Sequence, residues 1–183
     1  MNNENIKKIV EDLIATFLYA GQVALDLRDK GLKKKMKFDN TPVSNGDIEV
    51  NEILTNKIKT LTPELPIVSE ESSENKDKKN LNDFWLIDPI DGTYDYINNL
   101  EEFTLNAGLI LNNQPAGGLI FAPAKKRMFY SYGSNNAYEV VGENKVRLEC
   151  SKNFDKNFVK FVSYSNNIKP EIESIHRKLN VRE

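Results

Sequence analysis

The 183-residue sequence holds one cysteine, one histidine and one tryptophan, and each scarcity narrows the chemistry on offer. With Cys150 alone there is no internal disulfide framework and no cysteine-based zinc cluster, which suits a reducing cytoplasm. His176 lies in a polar terminal segment, so chemistry that needs no histidine or cysteine nucleophile fits the chain best. Excess charge is missing too. At a net charge of −2 there is no general attraction to a nucleic acid polymer or to an anionic membrane. No apolar run approaches membrane-spanning length, and the opening MNNENIKKIVEDL is too polar for a secretory signal, so membrane contact is peripheral at most. No internal repeat is found. What remains is a cytoplasmic, globular composition, 39% hydrophobic and 28% charged, long enough to bury a core.

Apolar residues Ile6, Val10, Leu13, Phe17, Gly21 and Ala24 recur at three- and four-residue spacing, which predicts a long amphipathic helix over residues 4–30. A lysine-rich loop over 31–40 leads to an extended piece at Thr41-Pro42-Val43, then a second helix from Gly46 to about Leu61. A short strand, Ile67-Val68-Ser69, precedes the polar tract 72–82, which has no periodicity and reads as an exposed loop. From there the pattern is one of strands: 84–88, 103–111, 116–121, 128–132, 137–141 and 145–148, with turns at Asn112-Asn113, Gly133 and Gly142. Helices first and hairpin-linked strands afterwards argue an α+β fold, a layered sandwich with helices packed on a mainly antiparallel sheet. Residues 1–150 form that domain. A linker (151–157), a strand (158–163) and a helix (170–179) then read as the start of a second α/β domain occupying 151–183.

The stretch WLIDPIDGT (85–93) carries two aspartates directly after an apolar run that should be buried. A carboxylate at the edge of a core needs compensation, by a metal ion, a basic side chain or a helix cap. Asp47 stands at a helix start, Glu70 just after a strand, and Asp88 and Asp91 bracket a stiff Pro89 turn whose Ile90 carbonyl faces the same way. Oxygen-only ligand sets of this kind suit hard divalent cations such as Mg²⁺. Gly92 and Thr93 open a short helical turn, where free backbone N–H groups favour an anion. Metal beside an anion site suggests phosphate-ester chemistry. On pattern alone, an Asp-Pro-X-Asp-Gly β-turn with Thr93 as a helix cap is an equal reading.

The order SEES (69–72) then WLIDPIDGT (85–93) resembles the inositol monophosphatase superfamily of Mg²⁺-dependent, lithium-sensitive phosphomonoesterases, whose Asp-Pro-Ile/Leu-Asp-Gly-Thr signature is matched without departure. KFDNTPVSNGD (37–47), LTPELPIVSEES (61–72) and EEFTLNAGLI (101–110) are similar to its CysQ-type 3'(2'),5'-bisphosphate nucleotidase branch. The resemblance implies that Glu70, Asp88 and the Ile90 carbonyl hold a first Mg²⁺. Asp88 would bridge to a second that Asp91 also binds, and Glu70 would help with a third through water. It implies that Thr93, supported by Asp47, orients the attacking water, that Gly92 and Thr93 N–H groups hold the phosphate, and that Lys37 touches substrate. The expected substrate is a small phosphorylated metabolite, adenosine 3',5'-bisphosphate first and an inositol or sugar phosphate as the alternative. A homodimer is compatible with this reading.

Two departures stand out. The family's second metal also takes an aspartate from a Trp-Asp motif in its second domain, whereas the only tryptophan here is Trp85, so the chain reads as C-terminally truncated. A catalytically inactive remnant that binds metal and phosphate is therefore the reading from another class. The CysQ branch also follows Asp-Gly-Thr with Lys-Glu-Phe, where this chain has Tyr94-Asp95-Tyr96. The alternating Tyr130, Tyr132 and Tyr138 are expected to pack rather than to stack on a base.

Overall fold

A computed structural model describes residues 1–36, 42–72, 81–150, 159–160, 169–179 and 181–182. The chain divides into two compact units, Met1–Glu149 and Cys150–Glu183. In the first, α1 (Asn3–Lys30) is followed by β1 (Lys34–Met36), β2 (Pro42–Ser44), α2 (Asn45–Leu61), β3 (Ile67–Ser69), β4 (Phe84–Asp91) and the short α3 (Thr93–Ile97). Then come β5 (Thr104–Leu111), β6 (Gln114–Ala122), β7 (Arg127–Tyr132), β8 (Ala137–Val141) and β9 (Asn144–Leu148). In the second unit, β10 (Val159–Lys160) pairs in parallel with β11 (Val181–Arg182), and α4 (Pro170–Lys178) starts on a proline at its first turn. Among the described residues, no helix is long and apolar enough to cross a membrane.

β3 to β9 form one seven-stranded sheet in which spatial order follows chain order; β3 runs parallel to β4 and every other pair is antiparallel. One face is covered by α1 and α2. The α1 stripe Val10, Leu13 and Phe17 and the α2 stripe Val50, Leu54 and Ile58 meet the inward strand residues Trp85, Ile87, Leu105, Leu109 and Leu119, all fully buried or nearly so. Even the polar atom of Trp85 is satisfied there, its indole Nε1 donating to Thr62 Oγ1 at 3.0 Å. Alternation sends Leu86, Asp88, Asn106, Gly108, Ile120 and Phe129 to the other face. That face is open in this unit: Leu86 is 51% and Ile120 47% exposed, and they belong to a shallow apolar surface that includes a cavity of about 510 Å³.

The lysine-rich loop expected over 31–40 contains a strand, because Lys34–Met36 pairs antiparallel with Pro42–Ser44. All three of its side chains are exposed, so no apolar alternation marks it in the sequence. Strand β4 also runs three residues further than expected, through both aspartates. The three tyrosines pack on one another, with Tyr130 and Tyr138 ring centroids 5.3 Å apart. Lys145 Nζ lies 4.4 Å over Tyr138.

Candidate metal and phosphate site

Successive residues of a strand face opposite ways, so Asp88 and Asp91, three apart, should point to opposite faces of the sheet. The ladder resolves this with a bulge. Asp88 lies opposite Asn106 and Asp91 opposite Thr104, so three steps on β4 match two on β5. The extra residue turns Ile90 into the core, where it is 1% exposed, and returns Asp91 to the face of Asp88. Pro89, which lacks an N–H, falls within the irregular stretch where a ladder bond is dispensable.

Glu70 joins them from the neighbouring strand. Its backbone N–H donates to the Ile87 carbonyl at 3.1 Å, which fixes it beside Asp88 at the end of the parallel β3–β4 pair. Burial first, then the charges of Glu70 and Asp91, push the Asp88 carboxyl up to about 7. Its Oδ1 is buried with no hydrogen-bond partner among the described residues. Among the described residues, no three acidic, histidine or cysteine side chains close to ligating distance. The donor chemistry nonetheless fits a divalent cation: an orphaned carboxylate oxygen with two further carboxylates in its electrostatic range. The Ile90 carbonyl accepts from Thr93 Oγ1 at 3.0 Å and keeps a second lone pair.

After the bulge the chain turns through Gly92, at φ +89. A side chain there would be strained, and its Cβ would lie 2.6 Å from the Glu102 carbonyl oxygen. The first helical bond of α3 runs from Tyr96 N–H to the Gly92 carbonyl, so the N–H groups of Gly92 and Thr93 have no acceptor within the helix.

Asp47 reaches the same place from α2. Ser44 and Asp47 form a capping box at that helix start: Asp47 Oδ2 accepts from the Ser44 N–H at 2.7 Å and from Ser44 Oγ at 2.6 Å. Its other oxygen, Oδ1, accepts from Thr93 Oγ1 at 3.2 Å, across 46 residues of sequence. The Thr93 hydroxyl has one proton for two acceptors, Asp47 and the Ile90 carbonyl, and keeps lone pairs free to accept from water. Asp47 itself is 1% exposed.

Two residues that sequence reasoning left aside hold this arrangement together. Tyr96, fully buried, donates from its hydroxyl to the Ala24 carbonyl at 2.7 Å, tying α3 to α1. It also presses on the start of α2, where a Cβ on Gly46 would meet the Tyr96 hydroxyl at 2.3 Å. Burial and then Asp47 push the Tyr96 phenol upward, so it remains a neutral donor. Asn106, on β5, donates from Nδ2 to Asp91 Oδ2 at 3.2 Å. The signal for Asn106 was its place as the one polar residue inside the apolar run LNAGLI (105–110). Of the lysine run, Lys34 donates to the Ile97 carbonyl at 3.0 Å, a cap on the last turn of α3. Lys37 lies outside the described residues.

The profile of the inositol monophosphatase family matches residues 4–182. A curated relative, the 3'(2'),5'-bisphosphate nucleotidase CysQ of Aggregatibacter actinomycetemcomitans, is 34% identical over 133 residues, covering 72% of this chain and 49% of the relative. The chain thus spans about half the length of the curated relatives it matches. The crystal structure of CysQ from Bacteroides thetaiotaomicron, a bacterial member of the inositol monophosphatase family, is 25% identical with a TM-score of 0.68, over 94% of this chain and 70% of that one. An IMPase/NADP phosphatase complexed with NADP and Ca²⁺ matches in fold with a TM-score of 0.75 at 16% identity, over 99% of this chain and 67% of that one.

Proposed function

The chain belongs to the inositol monophosphatase family, and from that premise we propose that it carries the metal- and phosphate-binding half of a Mg²⁺-dependent phosphomonoesterase. The observation that carries the reading is the Thr93–Asp47 hydrogen bond, formed beside the carboxylates of Glu70, Asp88 and Asp91. In this reading Glu70, Asp88, Asp91 and the Ile90 carbonyl hold two or three Mg²⁺ ions. Mg²⁺, when bound, supplies positive charge for the phosphate oxygens and lowers the pKa of water. The chain's own groups do the rest. Thr93 Oγ accepts a hydrogen bond from a water molecule and aims its oxygen at phosphorus, and as the water loses its proton to Thr93 Oγ the Thr93 hydroxyl proton passes to the Asp47 carboxylate, which becomes neutral. The Gly92 and Thr93 N–H groups hold phosphate oxygens, and the P–O bond to the leaving alkoxide breaks as the new P–O bond forms, the alkoxide taking its proton from solvent water. Residues 1–150 provide this site, and residues 151–183 open a second α/β domain.

The substrate we propose is a 3'(2'),5'-bisphosphate nucleotide, adenosine 3',5'-bisphosphate giving AMP and phosphate, on the strength of the CysQ relatives. One observation favours an inositol or sugar phosphate instead: Tyr94, 68% exposed next to Thr93, stands where the resemblance to the CysQ branch implies a lysine. Phosphate release from adenosine 3',5'-bisphosphate and from myo-inositol monophosphate, each in millimolar Mg²⁺ with and without Li⁺, separates the two. Absence of release from either, with Mg²⁺ binding retained, is the signature of an inactive remnant and refutes catalysis by this chain.

A further inference from the structure

Alternation on β5 sends Leu105, Ala107 and Leu109 into the core and Asn106 to the open face. There it stands in a largely apolar file, with Ile120 on one side and Asp88 on the other in the strand register. An amide in such a place is costly unless its polar atoms are used. One of them is: Nδ2 donates to Asp91 Oδ2 at 3.2 Å. The other is not. Among the described residues nothing donates to the buried Asn106 Oδ1, nor to the buried Oδ1 of Asp88 directly across the ladder. Buried acceptors without donors are rare, and two of them on opposed residues call for a donor that the described residues do not supply.

We infer that Asn106 is a positioning residue of the cation site, holding Asp91 through its amide nitrogen and offering its amide oxygen to a water of the cation's shell. The inference rests on the metal reading given above. Asp91 is exposed, and a free carboxylate at a strand end samples several rotamers. The amide bond selects the one in which Asp91 stays on the Asp88 side of the bulge. Asparagine suits the task because it carries a donor and an acceptor on one planar group, whereas an aspartate at 106 would add a fourth charge to those of Glu70, Asp88 and Asp91 and a leucine would supply neither function. Residues that orient ligands in this way typically change metal affinity by about 10- to 100-fold when removed.

The test measures Mn²⁺ affinity by electron paramagnetic resonance, with Mg²⁺ in competition, on the full 183-residue chain. Asn106→Leu is expected to weaken binding by at least about tenfold, with the melting temperature in EDTA unchanged or raised, because leucine matches the apolar file. In an Asp91→Asn background the same substitution should cost less than about threefold, since the group it positions is gone. In a Glu70→Gln background it should keep most of its effect. Should leucine impair folding, Asn106→Thr, a good strand former, serves the same comparison. Wild-type affinity in the Asn106 variant, or an equal loss with and without Asp91, overturns the inference. A wild-type chain that binds no cation overturns the metal reading itself, and this inference with it.

Discussion

Replacing Asp88 by asparagine should stabilise the cation-free protein, although it removes the central residue of the proposed metal site. The Asp88 carboxyl is pushed from 3.8 up to about 7 by burial, Glu70 and Asp91. Below the lower value both the folded and the unfolded chain hold the proton, and the site costs nothing. Between the two values the unfolded chain releases it while the folded protein retains it, so stability falls as pH rises through that window. Above the upper value the folded protein carries the full penalty. A shift of about three units corresponds to about 4 kcal/mol. Asp88 is only half-buried, and solvent screening reduces this to about 2 kcal/mol. For a chain of this length that is a rise in melting temperature of about 4–8 °C. Asp88→Asn, followed by circular dichroism at pH 8 in EDTA, should therefore melt higher than wild type by that amount, and the difference should vanish near pH 4. Millimolar Mg²⁺ should reverse the order, raising wild type and leaving the variant unmoved. A variant that melts below wild type at pH 8 in EDTA, or an equal response of both to Mg²⁺, refutes the reasoning.

Thr93→Ala removes the hydroxyl between Asp47 and the Ile90 carbonyl. Wherever phosphate release is measurable, it should lower kcat by about 10²-fold or more and leave KM within a few-fold, whereas a change confined to KM would reduce Thr93 to a helix cap. Gly92→Ala forces a Cβ to within 2.6 Å of a carbonyl oxygen at positive φ. It should cost about 1–3 kcal/mol in urea denaturation, and an unchanged midpoint would contradict the left-handed turn. On the open face, the double substitution Leu86→Lys and Ile120→Lys should lower self-association seen by sedimentation velocity without lowering the melting temperature. Loss of stability would place those side chains in the core instead.

The α2 start, expected at Gly46 and found at Asn45, was legible to within one residue because its cue is local, an apolar stripe at helical spacing. The strands from Thr104 to Leu148 were legible for the same reason, since their alternation and their turn residues are both short-range. Asp88 and Asp91 were expected to converge through a spacing of three around a stiff Pro89 turn, although period two along a strand places them on opposite faces. Their convergence depends on the bulge, a property of the β4–β5 pair and not of β4 alone. The contact of Asp47 with Thr93 was expected only from the resemblance, because no local rule links residues 46 positions apart. Tyr96 and Asn106 escaped notice because each looks ordinary in its own element, and their importance comes from a neighbour on another one. Strand β1 escaped because a paired strand of exposed lysines carries no hydrophobic signal.

That the sheet is laid down in the order of the chain has a kinetic meaning. From β6 to β9 each strand pairs with the one made just before it across a short turn, and β5 pairs with β4 across the α3 segment, so little loop entropy is lost at each step. Asp88, Asp91, Gly92, Thr93 and Asn106 all fall in the segment from β4 through α3 to β5, which makes the first antiparallel pair of the series. On a growing polypeptide that pair is complete, with its bulge set, about forty residues before β9 is finished. The site should accordingly gain amide protection early in a refolding experiment read by pulsed hydrogen exchange, with β8 and β9 closing later as an edge added to an already formed centre. Protection of β9 ahead of β5 would contradict that order.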